Sequence, residues 1–259
     1  MVEDAQRIFD YMPLKYKTQS ESDYVDFLWD AFVVNYEKEK YQFAYIAYHM
    51  IFMSYVYFQL AKIYQNRPDD LKNIMVFTGQ ALQEVEKHEK KVQESTSPFP
   101  PQFNPFNLSL EHERSIIGLF ISIGCDREVI KKMKSLIDMR NKIAHSNGSI
   151  VFKSLETIDT KIEEILECAQ CIQENTNAII SNCYINFLSR SGDIENREMV
   201  DEEDQVREIF IRGNYLCTKD IQFACQHDIS SHSSEIHYSE IEKLHLKLRE
   251  MYPNEQENA

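Results

Sequence analysis

Apolar positions along this chain recur every three or four residues, and that spacing predicts helices almost throughout. An amphipathic piece is read over residues 4–11, closed by Met12-Pro13, and a second helix begins near Ser22 and passes through Phe27, Leu28, Phe32 and Val33. The charged run 37–40 leads into an aromatic helix, 41–64, stopped by Arg67-Pro68. A further helix is read over residues 71–91, with Ile74, Met75, Phe77, Leu82 and Val85 on its apolar side. The proline-rich stretch 95–105 is a loop, and Ser109 then caps a short helix that breaks at Gly124.

In the second half, Asp126 suits the N-cap of a helix carrying Val129, Ile130, Met133, Leu136 and Ile137, and Asn147-Gly148 suits its end. After a short extended piece, 149–153, a long helix is expected from Leu155 to just before Gly192. Leu155, Ile158, Ile162, Ile165, Ala169, Ile172, Thr176, Ile179 and Cys183 trace one seam along it, enough to line a bundle or a dimer interface. Residues 189–205 turn polar and acidic. The expected division is therefore a helical bundle, 1–190, and an acidic linker with a small helical tail, 191–259, packing back on it. That tail carries an amphipathic turn over 206–211, a helix through Ile221 and Phe223, and a last helix opened by a Ser239/Glu242 capping box.

Composition narrows the fold class. With 43% hydrophobic residues but only 6 Gly and 7 Pro, turns are few and the chain reads as all-α. Six scattered cysteines make no dense disulfide framework and the amino end lacks a signal peptide's order, so a cytoplasmic location is expected. Residues 41–61 hold no formal charge, but their five tyrosines and interspersed polar groups suit a helix buried in protein, not a membrane span.

The net charge of −14 argues against a protein that coats nucleic acid with its whole surface. Locally the balance reverses: residues 127–142 hold six basic side chains against two acidic ones. Lys131, Lys134 and Lys142 are the candidates there for contacts to RNA phosphates. Arg140 lies within this run on the helix's own apolar stripe, where a guanidinium needs a carboxylate, a phosphate or a wet cleft. Five residues later comes His145. On an ideal helix the two point about 140° apart, so they converge only if the helix loosens at Asn141 or the arginine wraps across. Together they suit RNA cleavage: the imidazole moves the 2′-hydroxyl proton while the guanidinium holds the charge building on phosphorus. A core ion pair for Arg140, with His145 an ordinary helix-end residue, is the competing reading.

Arg140, Asn141 and His145, near the end of a bundle helix between an aromatic helix and a long one, resemble the signature of the HEPN superfamily. The resemblance covers residues 41–188. It implies a metal-independent endoribonuclease of toxin or anti-phage defence type, acting as a homodimer on RNA, with Arg140 and His145 catalytic and Asn141 supporting. It implies no cofactor, and leaves room for a regulatory or antitoxin partner. Asn147 stands where some toxin members carry a modifiable tyrosine, a departure that speaks against that mode of control. The alternative function is a non-catalytic HEPN-like module that binds RNA or a nucleotide, or joins an assembly. Other clusters rank lower. Cys168 and Cys171 sit mid-helix, where nothing activates a thiolate; Cys217, Cys225, His227, His232 and His237 follow no familiar zinc spacing; and His49 reads as a hydrogen-bonded core histidine.

Overall fold

The chain is all-α. The structure, a computed structural model, describes residues 2–97, 101–145, 150–152 and 154–253, and no strand occurs among them. The fold divides into two units, one of Met1–Ile8 with Gln19–Asn175 and the other of Phe9–Thr18 with Thr176–Ala259.

The first unit contains α1 (Val2–Gln6), α2 (Gln19–Glu37) and the aromatic helix α3 (Tyr41–Asn66), and α3 is buried along nearly its whole length. Its tyrosines explain how a helix with no outward face is held. A buried hydroxyl left without a partner costs about 1–3 kcal/mol, so each fully buried phenol must donate to something. Tyr48 donates to the Ala5 carbonyl (2.9 Å), Tyr45 to that of Leu136 (2.9 Å) and Tyr55 to that of Ala169 (2.8 Å), which ties α3 to three other segments. No helix among the described residues is long and apolar enough to cross a membrane.

The helix expected over 71–91 is two helices, α4 (Pro68–Ile74) and α5 (Gly79–Glu94), separated by a 3₁₀ turn at Met75–Phe77. Thr78 makes the break: its hydroxyl bonds back to the Met75 carbonyl (2.8 Å) and its backbone leaves the helical region at ψ 73°, so Phe77 is exposed instead of joining the core. Ser109 caps no helix. It lies inside a 3₁₀ turn, Pro105–Leu110, which Asn104 caps, and α6 (Glu113–Gly118) follows. Gly124 takes the left-handed φ of 89° that lets the chain reverse into the next helix. Asp126 caps that helix, α7 (Arg127–Ala144), as expected, accepting from the amides of Glu128 (2.8 Å) and Val129 (2.9 Å). The expected stop at Asn147-Gly148 lies outside the described residues, as do Ser149 and Lys153. Residues 150–152 are non-helical, with Phe152 buried against the Tyr45 ring and the Val151 amide donating to Gln42.

The long helix expected from Leu155 is interrupted. It forms α8 (Leu155–Asn175) in the first unit and α9 (Asn177–Gly192) in the second, with Thr176 between them. The side chain of Asn175 donates to the Cys171 carbonyl (2.8 Å), competing with the ladder where the helix gives way. The nine-residue seam therefore serves two cores. In the second unit α9 packs with α10 (Glu202–Asp204), the π-helical turn that continues it (Gln205–Arg212), α11 (Thr218–Ala224) and α12 (Tyr238–Met251) around Tyr184, Leu188, Phe210, Ile221, Ile241 and Leu244. The polar stretch 189–205 lies inside this unit and is pinned. The Arg197 side chain, 3% exposed, binds the Ser191 carbonyl (2.6 Å) and Glu240 (3.0 Å), and Gln205 binds Ser191 (2.8 Å). Helix α12 opens at Tyr238 with His237 as its cap, so Ser239 falls within the helix and the Ser239/Glu242 box does not form. A capping box closes on Cys217 and Asp220 instead.

Candidate active site

Helix α7 sorts its side chains onto two faces, and the candidate residues divide between them. Met133, Leu136 and Ile137 face the core. Arg140 continues that face and meets Glu113 at the start of α6, with Nη2 2.5 Å from Oε1; the two side chains are 27% and 21% exposed. The other carboxylate oxygen of Glu113 lies 3.2 Å from Nε2 of His49, which projects fully buried from α3. Burial pushes the Glu113 carboxyl up, but the hydrogen bond and charge of His49, with the Arg140 guanidinium, outweigh it and hold the group below its ordinary value. The arginine on an apolar stripe thus has a carboxylate partner inside its own chain. His49 is a buried, hydrogen-bonded histidine as read from the sequence, although its Nδ1 finds no partner among the described residues.

His145 lies elsewhere on the helix. It is the exposed C-cap of α7, and its amide closes the last helical bond to the Asn141 carbonyl (3.1 Å). The expected loosening at Asn141 does not occur: α7 keeps its register to Ala144, so Arg140 and His145 leave the axis about 140° apart. At about 100° per residue, His145 falls within roughly 40° of Arg127, Lys131, Lys134, Asp138 and Asn141. Arg127, Lys131, Lys134 and Asp138 line an open groove of about 570 Å³ between α7 and the segment from Arg114 to Ile121, floored by Ile121 and Ile130. Arg114 completes its rim and is paired with Asp138 (2.8 Å), while Lys131 reaches Glu128 (3.7 Å). Arg127 and Lys134 have no ion-pair partner among the described residues. A cleft with four cations and one carboxylate in so acidic a chain concentrates positive potential where a polyanion is attracted. Lys131 and Lys134 line it; Lys142 is exposed one turn beyond and does not.

Two things escaped the sequence reading. Glu113 is one of 42 acidic residues and no spacing marks it as the partner of Arg140. Arg114 joins the groove only because α6 packs on α7. The shared face of Arg127, Lys131, Lys134 and His145, at i, i+4, i+7 and i+18, was by contrast present in the sequence, as was the angle that separates His145 from Arg140.

The remaining clusters resolve into structure. Burial pushes the Cys168 thiol up to about 12 and raises that of Cys171, and all six cysteines are free. The five Cys and His residues of the tail do not converge. Cys217 caps α11, His227 and His232 approach each other Nε2 to Nε2 (3.3 Å), and His232 turns its Nδ1 to Glu235 (2.5 Å). Among the described residues no group of three or more His, Cys, Asp or Glu could hold a metal ion. No protein-family model matches the chain, and no curated protein or solved structure is similar to it.

Proposed function

We propose that this chain is a metal-independent endoribonuclease of the HEPN type that engages RNA along the α7 groove, with His145 as its acid/base group. The observation that carries this reading is the alignment of an exposed imidazole with Arg127, Lys131 and Lys134 on one face of a helix. Phosphates held by the cationic rim would run toward the ring. His145 takes the proton from a 2′-hydroxyl, the 2′-oxygen attacks the adjacent phosphorus, the P–O5′ bond breaks and the 5′-oxygen takes a proton from water, giving a 2′,3′-cyclic phosphate and a 5′-hydroxyl. Arg140 is only partly covered and keeps donors beyond the one facing Glu113, which supports a role in stabilising the phosphorane-like charge, with Asn141 supporting. Its direction about 140° from His145 favours a homodimer in which each groove combines the histidine of one copy with the arginine of the other.

The test is full-chain protein incubated with total RNA in the presence of a chelator. Fragments with cyclic-phosphate ends are expected, and His145→Ala removes them. The Arg140–Glu113 pair favours a second reading, since it leaves the guanidinium largely neutralised: the groove then binds RNA without cutting it. Intact RNA, retained by the protein and released by salt, selects that reading.

A further inference from the structure

A second cavity, of about 470 Å³, opens between α2, α3 and the Pro105–Leu110 turn, and Glu113 forms part of its wall. Its sides are aromatic. Phe106 stands nearly perpendicular to both Tyr24 (centroids 5.1 Å apart, 82°) and Tyr57 (6.3 Å, 76°), and Met53 adds a polarisable thioether. Tyr57 is 6% exposed, yet its hydroxyl has no hydrogen-bond partner among the described residues. Tyr45, Tyr48 and Tyr55 of the same helix donate to backbone carbonyls and Tyr64 to the Glu89 carboxylate, so Tyr57 alone among its buried tyrosines keeps a hydroxyl that a ligand in this cavity can engage. The Tyr24 hydroxyl is likewise unpartnered among the described residues. Asn104 accepts the Phe106 amide through Oδ1, which leaves its Nδ2 as a donor.

These groups define the occupant's chemistry. The Glu113 carboxylate already has the Arg140 guanidinium as its counter-charge, so the cavity suits a neutral ligand over a cation. Aromatic walls select a flat ring, a carboxylate accepts from an edge rich in N–H, and phenol and amide groups donate to acceptors on the opposite edge. We infer that this cavity binds a guanine base. Guanine carries donors at N1 and N2 and acceptors at O6 and N7, whereas adenine would turn the N1 lone pair toward the carboxylate. The base arrives either as a free nucleotide or as one residue of an RNA strand. The inference stands apart from the ribonuclease reading, because a base can be bound whether or not the strand is cut.

Binding is measured on the full chain carrying His145→Ala, which keeps RNA intact, by calorimetry against GMP, AMP, and hexaribonucleotides with and without one guanosine. GMP, or the guanosine-containing hexamer, is expected to bind at least about tenfold more tightly than its guanine-free counterpart. Preference in the GMP arm identifies a free nucleotide, and preference in the hexamer arm alone identifies a strand. Tyr57→Phe should weaken the preferred ligand about threefold to tenfold without lowering the melting temperature. Equal binding of the guanine and guanine-free ligands, no binding of any, or a Tyr57→Phe variant that binds as well as the parent overturns the inference. If RNA is never cleaved by the unsubstituted chain but guanine selectivity persists, only the ribonuclease reading falls.

Discussion

Arg140 Nη2 stands 2.5 Å from Glu113 Oε1, so the guanidinium of the motif and a carboxylate of α6 act as one unit, with His49 behind it. Arg140→Ala leaves a half-buried carboxylate facing only an imidazole, and should destabilise the first unit by about 1–3 kcal/mol. His145→Ala removes an exposed cap residue and should change stability by less than about 0.5 kcal/mol. Thermal melts of the two variants beside RNA cleavage separate the roles: cleavage lost in both, with melting lowered only in Arg140→Ala, is the expected pattern. Equal melting of both variants would show that the ion pair contributes nothing.

The groove makes a separate prediction in salt. Lys134→Ala and Arg127→Ala should each weaken RNA binding across unrelated sequences and lower the slope of log K against log salt by about 0.7. Lys132, whose Nζ binds Glu167 in α8, serves as the control and should leave the slope unchanged. Filter binding between 50 and 200 mM salt reads this out; a slope that follows Lys132 as strongly as Lys134 would move the interface off this face.

Gly192 marks a close approach of α9 and α12 in the second unit. A Cβ there would lie 2.8 Å from Ile241 Cγ1, too close for α9 and α12 to keep their spacing. Gly192→Ala should cost about 1–3 kcal/mol through overpacking, read as a lower denaturation midpoint. An unchanged midpoint would mean that the two helices yield easily at their crossing.

Acid should weaken the two units in sequence. His227 and His245 in the second unit are held below 6.5, chiefly by burial and further by neighbouring cations or imidazole, so the fold favours their neutral forms. The unfolded chain takes up the protons first. Their contribution is therefore complete above pH 6.5 and is lost as pH falls through their depressed values. Glu113 in the first unit is held below 4.5, so its contribution persists down to that pH and is lost only beneath it. Hydrogen exchange at pH 7.5, 5.5 and 4 should show amides of residues 177–251 losing protection before those of α3 and α7. Simultaneous loss would contradict the assignment.

Much of the helical order was legible from sequence because its signals are local. Asp126 caps α7 with its own side chain, Arg67-Pro68 ends α3, and the aromatic helix is buried because its composition offers no polar face. What escaped were breaks made by small polar side chains inside apolar patterns. Thr78 and Asn175 each divert a backbone carbonyl at a point where periodicity alone continues the helix. The candidate site was half legible. Residue type singled out Arg140 and His145, but whether an arginine on a core face meets a carboxylate depends on α6, which is distant in sequence from the motif it serves.

Residues 9–18 belong with the second unit although the rest of that unit begins at Thr176. The Leu14 amide donates to the Leu216 carbonyl (2.9 Å), and Arg212 holds the carbonyls of Tyr16, 196 positions away, and Lys17. On the ribosome this short segment must wait, unsatisfied, while the first unit is synthesised around it. Completion of the second unit is thus a late event in biogenesis, and a chain released early would expose both an orphaned amino-terminal arm and the apolar face of α9 to chaperones.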